Sequence, residues 1–138
     1  MEPFIVEHLS VAQRFPSLTS LGVAAEYFPR YVHLDAPGQH THEHLELCLV
    51  LSGQVWTRIG VQELPLPPGS LSVINYNQSH DVFTGPDGAE VYNLYLDLRH
   101  CTFPILPEGL SSWLIPMFPL HPAFGQAFIL GMGTKIHL

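Results

Sequence analysis

From Leu45 to Leu51 the odd positions of the chain are all leucine (Leu45, Leu47, Leu49, Leu51), and the even ones begin with Glu46 and Cys48. This period of two belongs to a strand, whose successive side chains point to opposite faces. Just upstream, in QHTHEHLEL, histidines at 40, 42 and 44 lead into Glu46. If the chain stays extended, His40, His42 and Glu46 share one face while the leucines cover the other. Such a strand suits a small barrel with a polar lumen and a covered outside.

The same pattern predicts further short strands along the chain. Val23–Tyr27 and Tyr31–Leu34 read as two strands separated at Pro29, because proline cannot donate to a ladder. Gln39–Leu51 is the central strand, bent near His42 and broken at Ser52-Gly53. Gln54–Ile59 and Glu63–Leu66 form a hairpin through Gly60–Gln62. Pro67-Pro68-Gly69 is a turn, followed by a strand over Ser70–Ile74 and a polar loop over 75–79. His80–Thr84 is a short strand, Gly85–Gly88 a turn, and Ala89–Leu98 the longest β signal. Short strands at this spacing, linked by tight turns, predict an all-β antiparallel barrel or jelly roll. Residues 1–20 have no clean period and read as an arm or lead-in strand; the barrel is expected over 21–100.

After His100 the character changes. Pro104, Pro107, Pro116, Pro119 and Pro122 interrupt a nearly chargeless apolar segment, 101–138. Ser111–Ile115 reads as one helical turn. Phe124, Phe128, Ile129 and Leu130 can form an apolar helical stripe, broken by Gly131 and Gly133. The chain stops at Ile136-His137-Leu138 without a cap or polar tail, so the natural protein is expected to continue.

Composition narrows the function. A chain of 138 residues is one domain on length, and 46% hydrophobic residues supply a core. The net charge is −7, and the five basic residues (Arg14, Arg30, Arg58, Arg99, Lys135) are scattered. Nucleic-acid binding needs clustered Lys or Arg to displace counterions, so this segment should bind no DNA or RNA itself. The two cysteines, Cys48 and Cys101, form no CxxC. Cys48 is most simply a small buried hydrophobe. No signal peptide and no apolar run of membrane-spanning length is seen, so a cytoplasmic location is expected.

Imidazole and carboxylate together are ligands for a borderline divalent metal: zinc, nickel, iron or manganese. His40, His42 and Glu46, with distant His80, are the candidate metal ligands. The other reading of these four is a polar lumen that touches a small organic molecule or water. His44 shares their parity, as a spare ligand or a rim residue. Trp56, Tyr76, Tyr92, Tyr95 and Trp113 can stack on a sugar ring. Any one of them can equally be an ordinary core or surface residue, and Tyr76 is favoured because it lies in the loop beside His80. Glu90, Asp97 and Arg99 are candidate effector contacts, with solvated strand edges as their commoner use.

The spacing of these residues resembles the cupin superfamily. Its first motif, HxH, three or four residues, Glu, six residues, Gly, is matched by His40, His42, Glu46 and Gly53. The glycine expected six positions before the first histidine is absent, since Leu34 stands there. In the second motif Gly69 and His80 match, while Asn75 and Asn77 replace the usual proline and glycine, and Thr84 replaces a later asparagine. The resemblance covers about residues 25–98 and implies a double-stranded β-helix, the cupin jelly roll. Within that superfamily the wording HLELCLVLSGQ…LPLPPGSLSVINYNQSHDV is similar to the effector domains of AraC-type transcription regulators. That similarity implies an effector-sensing and dimerisation module, taking a small molecule such as a sugar, with DNA read by a separate basic half. A stand-alone metal-dependent cupin enzyme, a dioxygenase or isomerase, is the second reading.

Overall fold

A computed structural model describes residues 6–35, 38–97 and 128–131. Its frame is two long antiparallel strands, β4 and β7, that run beside each other for almost their whole length. In chain order the elements are β1 (Val6–His8), α1 (Val11–Arg14), α2 (Ser17–Leu21), β2 (Val23–Tyr31), β3 (Gln39–Thr41), β4 (Leu45–Ile59), β5 (Gln62–Leu66), β6 (Ser70–Ile74), β7 (His80–Leu96) and β8 (Phe128–Gly131).

The pairing of β4 with β7 shifts register at Val50/Ser52 and again at Gly53/Val55. Each irregularity adds local bend and twist, and together they fold the sheet into two leaves. In one leaf the first half of β4 and the second half of β7 are flanked by β2 and β6. In the other, the remaining halves are flanked by β3 and β5. Gly53 and Gly88 meet at the corner with φ of 90° and 78°. A Cβ on Gly53 would stand 2.7 Å from the Gly88 carbonyl oxygen and 2.8 Å from the Ala89 Cα, so only glycine fits.

The main apolar core lies between the leaves. It joins Cys48, Val50, Ala89 and Val91 of the first leaf to Val55, Leu66 and Val82 of the second. A second cluster packs Val11 and Leu18 of the short helices on Ala24 and Tyr95. A third holds Leu45, Val73 and Tyr76.

Several boundaries differ from the sequence expectation. Pro29 does not split β2: among the described residues that strand pairs only with β7, so a missing N–H is tolerated on its other edge, and the register merely slips between Phe28 and Tyr31. Ser52-Gly53 and Gly85–Gly88 bend their strands instead of ending them, because the partner strand bends beside them. The lead-in is not simply extended. β1 pairs in parallel with β3, and two short helical turns follow, the second ended by left-handed Gly22 (φ 72°). Phe128–Gly131 is strand where a helical stripe was expected. It extends the ladder at the open edge of β6 in register from Ser70↔Gly131 to Val73↔Phe128, whereas a helix would leave that edge unpaired. Ser111–Ile115, Trp113, Arg99 and Phe124 lie outside the described residues. No helix among the described residues is long and apolar enough to cross a membrane.

The corner can be tested directly. Gly53→Ala is expected to lower stability by about 1–3 kcal/mol, by strain at positive φ added to a backbone clash. Gly60→Ala, at φ 57° with no atom within 4 Å of the added methyl, should cost clearly less. Urea midpoints of the two variants decide it, and equal losses would mean that the corner contact carries nothing.

Candidate metal centre and cavity

Folding the sheet over brings together residues that the ladder keeps apart. His80 pairs with Ile59, at the far end of β4 from Glu46. Yet His80 Nε2 lies 3.6 Å from Glu46 Oε2, which only two facing leaves allow. His40 on β3 pairs directly with His80. The chain then leaves the ladder at His42, which folds back so that its Nε2 lies 2.8 Å from Glu46 Oε2. One ligand atom from each of His40, His42, Glu46 and His80 lies within 4.8 Å of the other three.

The loop before His80 is tied to the histidine strand. The Asn77 N–H donates to the His42 carbonyl at 2.8 Å, and the Asn75 N–H to Gln78 Oε1 at 3.0 Å. Asn77 has φ 54°, left-handed, at the position where the second cupin motif carries glycine. Asparagine tolerates that conformation better than most residues, so the loop keeps its course.

The backbone also orients the rings. His42 Nδ1 donates to the His44 carbonyl at 2.9 Å and His80 Nδ1 to the Gln78 carbonyl at 2.8 Å. With Nδ1 turned to the backbone, Nε2 of each ring faces the cluster, where a proton shared with Glu46 or a metal ion can sit. His80 is fully buried, and its Nε2 has no hydrogen-bond partner among the described residues. Buried nitrogen lone pairs beside a buried carboxylate call for a positive charge among them, a proton or a metal ion. Three imidazoles and one carboxylate fit a borderline divalent metal.

The electrostatics agree. Burial alone would raise the Glu46 carboxyl, but the His42 hydrogen bond and the His80 ring outweigh it and hold it well below the usual carboxylate range. Burial, with His80 next to it, lowers His40 to about 4. His40 therefore stays neutral and ready to ligate at ordinary pH.

Beside the cluster lies a cavity of about 400 Å³. His40, His42 and Glu46 stand on one wall. Phe28, Tyr31, Val82 and Val91 form apolar wall, and Leu9, Val11, Arg14 and Phe15 of the N-terminal segment complete it. Burial pushes the Tyr31 and Tyr95 phenols and the Cys48 thiol up, so all three stay protonated.

Of the five residues expected to touch an effector, Tyr95 lines this cavity, with its ring 6.0 Å from His42 and stacked on Phe15 at 5.4 Å. The other four do not line it. His44, in the bend between β3 and β4, is buried with its Nε2 3.8 Å from Asp97 Oδ2. Tyr76 is buried against Leu45 and Val73. Trp56 stacks on Phe83 at 5.7 Å, because the double register shift reverses which positions of β4 face inward. Tyr92, between inward-facing Val91 and Asn93, points out and stacks on Tyr27 at 4.7 Å. Glu90 is outside too, accepting a hydrogen bond from the Tyr27 hydroxyl at 2.6 Å. Cys48 both lines the cavity and belongs to the core. Arg14, Phe15, Phe28, Tyr31 and Asn93 were not singled out from sequence. For Asn93 the signal was present, since it shares the parity of Tyr95.

The family model of the AraC-like ligand-binding domain matches residues 26–101, over half of the chain. The chain belongs to that family. Its all-β, cupin-type fold is the one the AraC-like domain is expected to have. Among curated proteins no sequence match is found. Similar solved structures include a cupin protein from Bacteroides fragilis (17% identity, TM-score 0.47, covering 63% of this chain and 74% of that one). A second is a DMSP lyase from Ruegeria pomeroyi (21%, 0.45, 64% and 45%). A third is a putative ethanolamine utilization protein Q from Salmonella typhimurium (16%, 0.43, 56% and 59%). The AraC-like chain thus spans less than two thirds of the length of the last two.

The metal-free domain is expected to lose stability as pH falls from about 6.5 to about 4. Unfolded His40 takes a proton near 6.5, while folded His40 refuses it until about 4, so acid favours the unfolded chain across that window. Urea denaturation in EDTA across this range reads the loss, and His40→Gln should flatten part of it. A wild-type profile flat from 7 to 4.5 would contradict the burial of this ring.

Proposed function

We propose that this domain is the effector-sensing and dimerisation module of an AraC-type transcription regulator, binding a sugar or related small metabolite in its cavity. The observation that carries the reading is the cavity itself: about 400 Å³, apolar and aromatic on most sides, with a polar cluster on one wall. Sites of a few hundred Å³ with few convergent polar groups suit a small molecule. Aromatic rings at Phe15, Phe28, Tyr31 and Tyr95 suit the C–H face of a sugar.

In this reading His40, His42, Glu46 and His80 hold one divalent metal, and the metal supplies a Lewis-acidic anchor for an effector oxygen. DNA contact belongs to another part of the regulator, because this segment has five scattered basic residues against a net charge of −7. The effector works by binding one arrangement of a homodimer more tightly than another.

A metal-dependent cupin enzyme is the second reading, and the complete ligand set favours it. Against it stand the other titratable groups on the cavity wall. Tyr31, Tyr95 and Cys48 are held protonated by burial and Arg14 is engaged with Glu26, so none serves as a general base at neutral pH.

Zinc or nickel titrated into EDTA-stripped protein is expected to bind at about one equivalent, and His80→Ala should weaken it by more than the ~10–100-fold typical of outer-shell losses. Calorimetric scans of the metal-loaded domain with a panel of monosaccharides test the effector. A ligand at one hundred times its Kd stabilises by about 2.7 kcal/mol, enough to move the melting temperature by several degrees. If no monosaccharide moves it, the sugar reading falls. Sedimentation with and without the binding sugar reports the dimer.

A further inference from the structure

The four candidate ligands are not held alike. Glu46 sits within β4, paired with Ile74 on one side and Tyr95 on the other. His80 has its Nδ1 tied to the Gln78 carbonyl at 2.8 Å, and its backbone pairs with both Ile59 and His40. His42 is fixed through Nδ1 to the His44 carbonyl at 2.9 Å, through Nε2 to Glu46 at 2.8 Å, and through its own carbonyl by the Asn77 N–H. His40 has no such hold. Among the described residues neither of its ring nitrogens makes a hydrogen bond. Its ring rests edge-on against the His80 ring, with 4.2 Å between centroids.

The support beneath His40 is also the slightest. β3 is three residues long and meets β7 at the single pair His40↔His80, with the short β1 on its other edge. His40 is half-buried where the other three ligands are buried. It stands on the cavity wall, and His80 does not.

This inequality has a chemical use. A tetrahedral zinc site with four protein ligands is closed, whereas a site that takes a further molecule keeps three and leaves one position to it. Imidazoles in lasting sites have their second nitrogen held by a hydrogen bond, which fixes the ring and strengthens the donor. His42 and His80 have that hold. A ring without it loses rotamer entropy by staying in place. We propose that His42, Glu46 and His80 form the lasting part of the metal site, and that His40 is its replaceable member, giving up its place to an effector oxygen that enters from the cavity. This rests on the metal-holding reading above and adds how the cavity gains access to the cluster. The effector and the His40 ring then compete for one position.

Zinc affinities are measured by competition with a chelator on wild type, His40→Ala, His42→Ala and His80→Ala, with circular dichroism as the fold control. His42→Ala and His80→Ala are expected to weaken zinc by more than about a hundredfold, and His40→Ala by about tenfold or less. A loss at His40→Ala as large as that at His80→Ala makes His40 a permanent ligand and overturns the proposal, with the metal reading intact. Cobalt in place of zinc then reads the exchange, because its visible absorption is strong in a tetrahedral site and weak once ligands are added. Azide, a donor that binds through one atom, is the probe. In cobalt-loaded wild type the absorption should shift and stay strong, ending on the spectrum of azide-treated His40→Ala, since wild type gives up the ring that the variant lacks. A wild-type spectrum that azide leaves unmoved, weakens, or carries to one unlike the variant's means that His40 stays in place, and the exchange is overturned. If wild type binds no zinc at all, the metal reading falls and the exchange with it.

Discussion

Glu46 is an ionised carboxylate only 4% exposed to water, and the rest of the barrel is arranged to compensate it. An isolated charge in such surroundings is too costly to persist, so it must be matched by nearby groups. Compensation comes from two separate stretches of chain, His42 on the bend after β3 and His80 at the start of β7, and neutral His40 of β3 completes the cluster. Each requires a specific piece of architecture. The sheet must fold at Gly53 and Gly88 to bring His80 to Glu46. The loop through left-handed Asn77 must dock on the His42 carbonyl to set the approach. The cluster is therefore a product of the long-range fold, although its residues are written in two short motifs.

The grouping of the four candidate ligands was legible in the sequence because a strand's parity and a motif's spacing are local quantities. His40, His42 and Glu46 lie on one short stretch, and His80 follows a loop whose two asparagines tolerate tight turns. The cavity lining was less legible for the same reason. Trp56 has the parity of Glu46 when counted straight along β4, yet two register slips between Val50 and Val55 put it outside, against Phe83. Parity counting has no means of seeing a bulge that depends on the partner strand. Tyr76 was favoured for its place beside His80, but in a tight loop neighbouring side chains diverge, and it is buried with Leu45. The apolar wall was illegible because Phe28, Val82 and Val91 resemble any other core residue in the chain. Ends of elements failed where tertiary pairing overrides local breakers, as at Gly85–Gly88 and at Phe128–Gly131.

The N-terminal segment ties the cavity to residues outside the main sheet. Leu9, Val11, Arg14 and Phe15 make up part of the cavity wall, so the pocket is incomplete without residues outside the main sheet. Their attachment is light. β1 forms three residue pairs with β3, and the Arg14–Glu26 ion pair has an Arg14 side chain 59% exposed, a class of contact contributing at most about 1 kcal/mol. The firmer tie is apolar: Phe15 on Tyr95, with Val11 and Leu18 on Ala24. Tyr95 thus touches both the segment through Phe15 and the metal-ligand cluster through His42. The Tyr95 ring on which Phe15 stacks is itself part of the cavity wall. Elements held by few buried contacts open most easily, and here those contacts are the ones that Val11, Phe15 and Leu18 make. The cavity and residues 6–21 are thus joined through one aromatic contact and one apolar cluster, beside the two long strands.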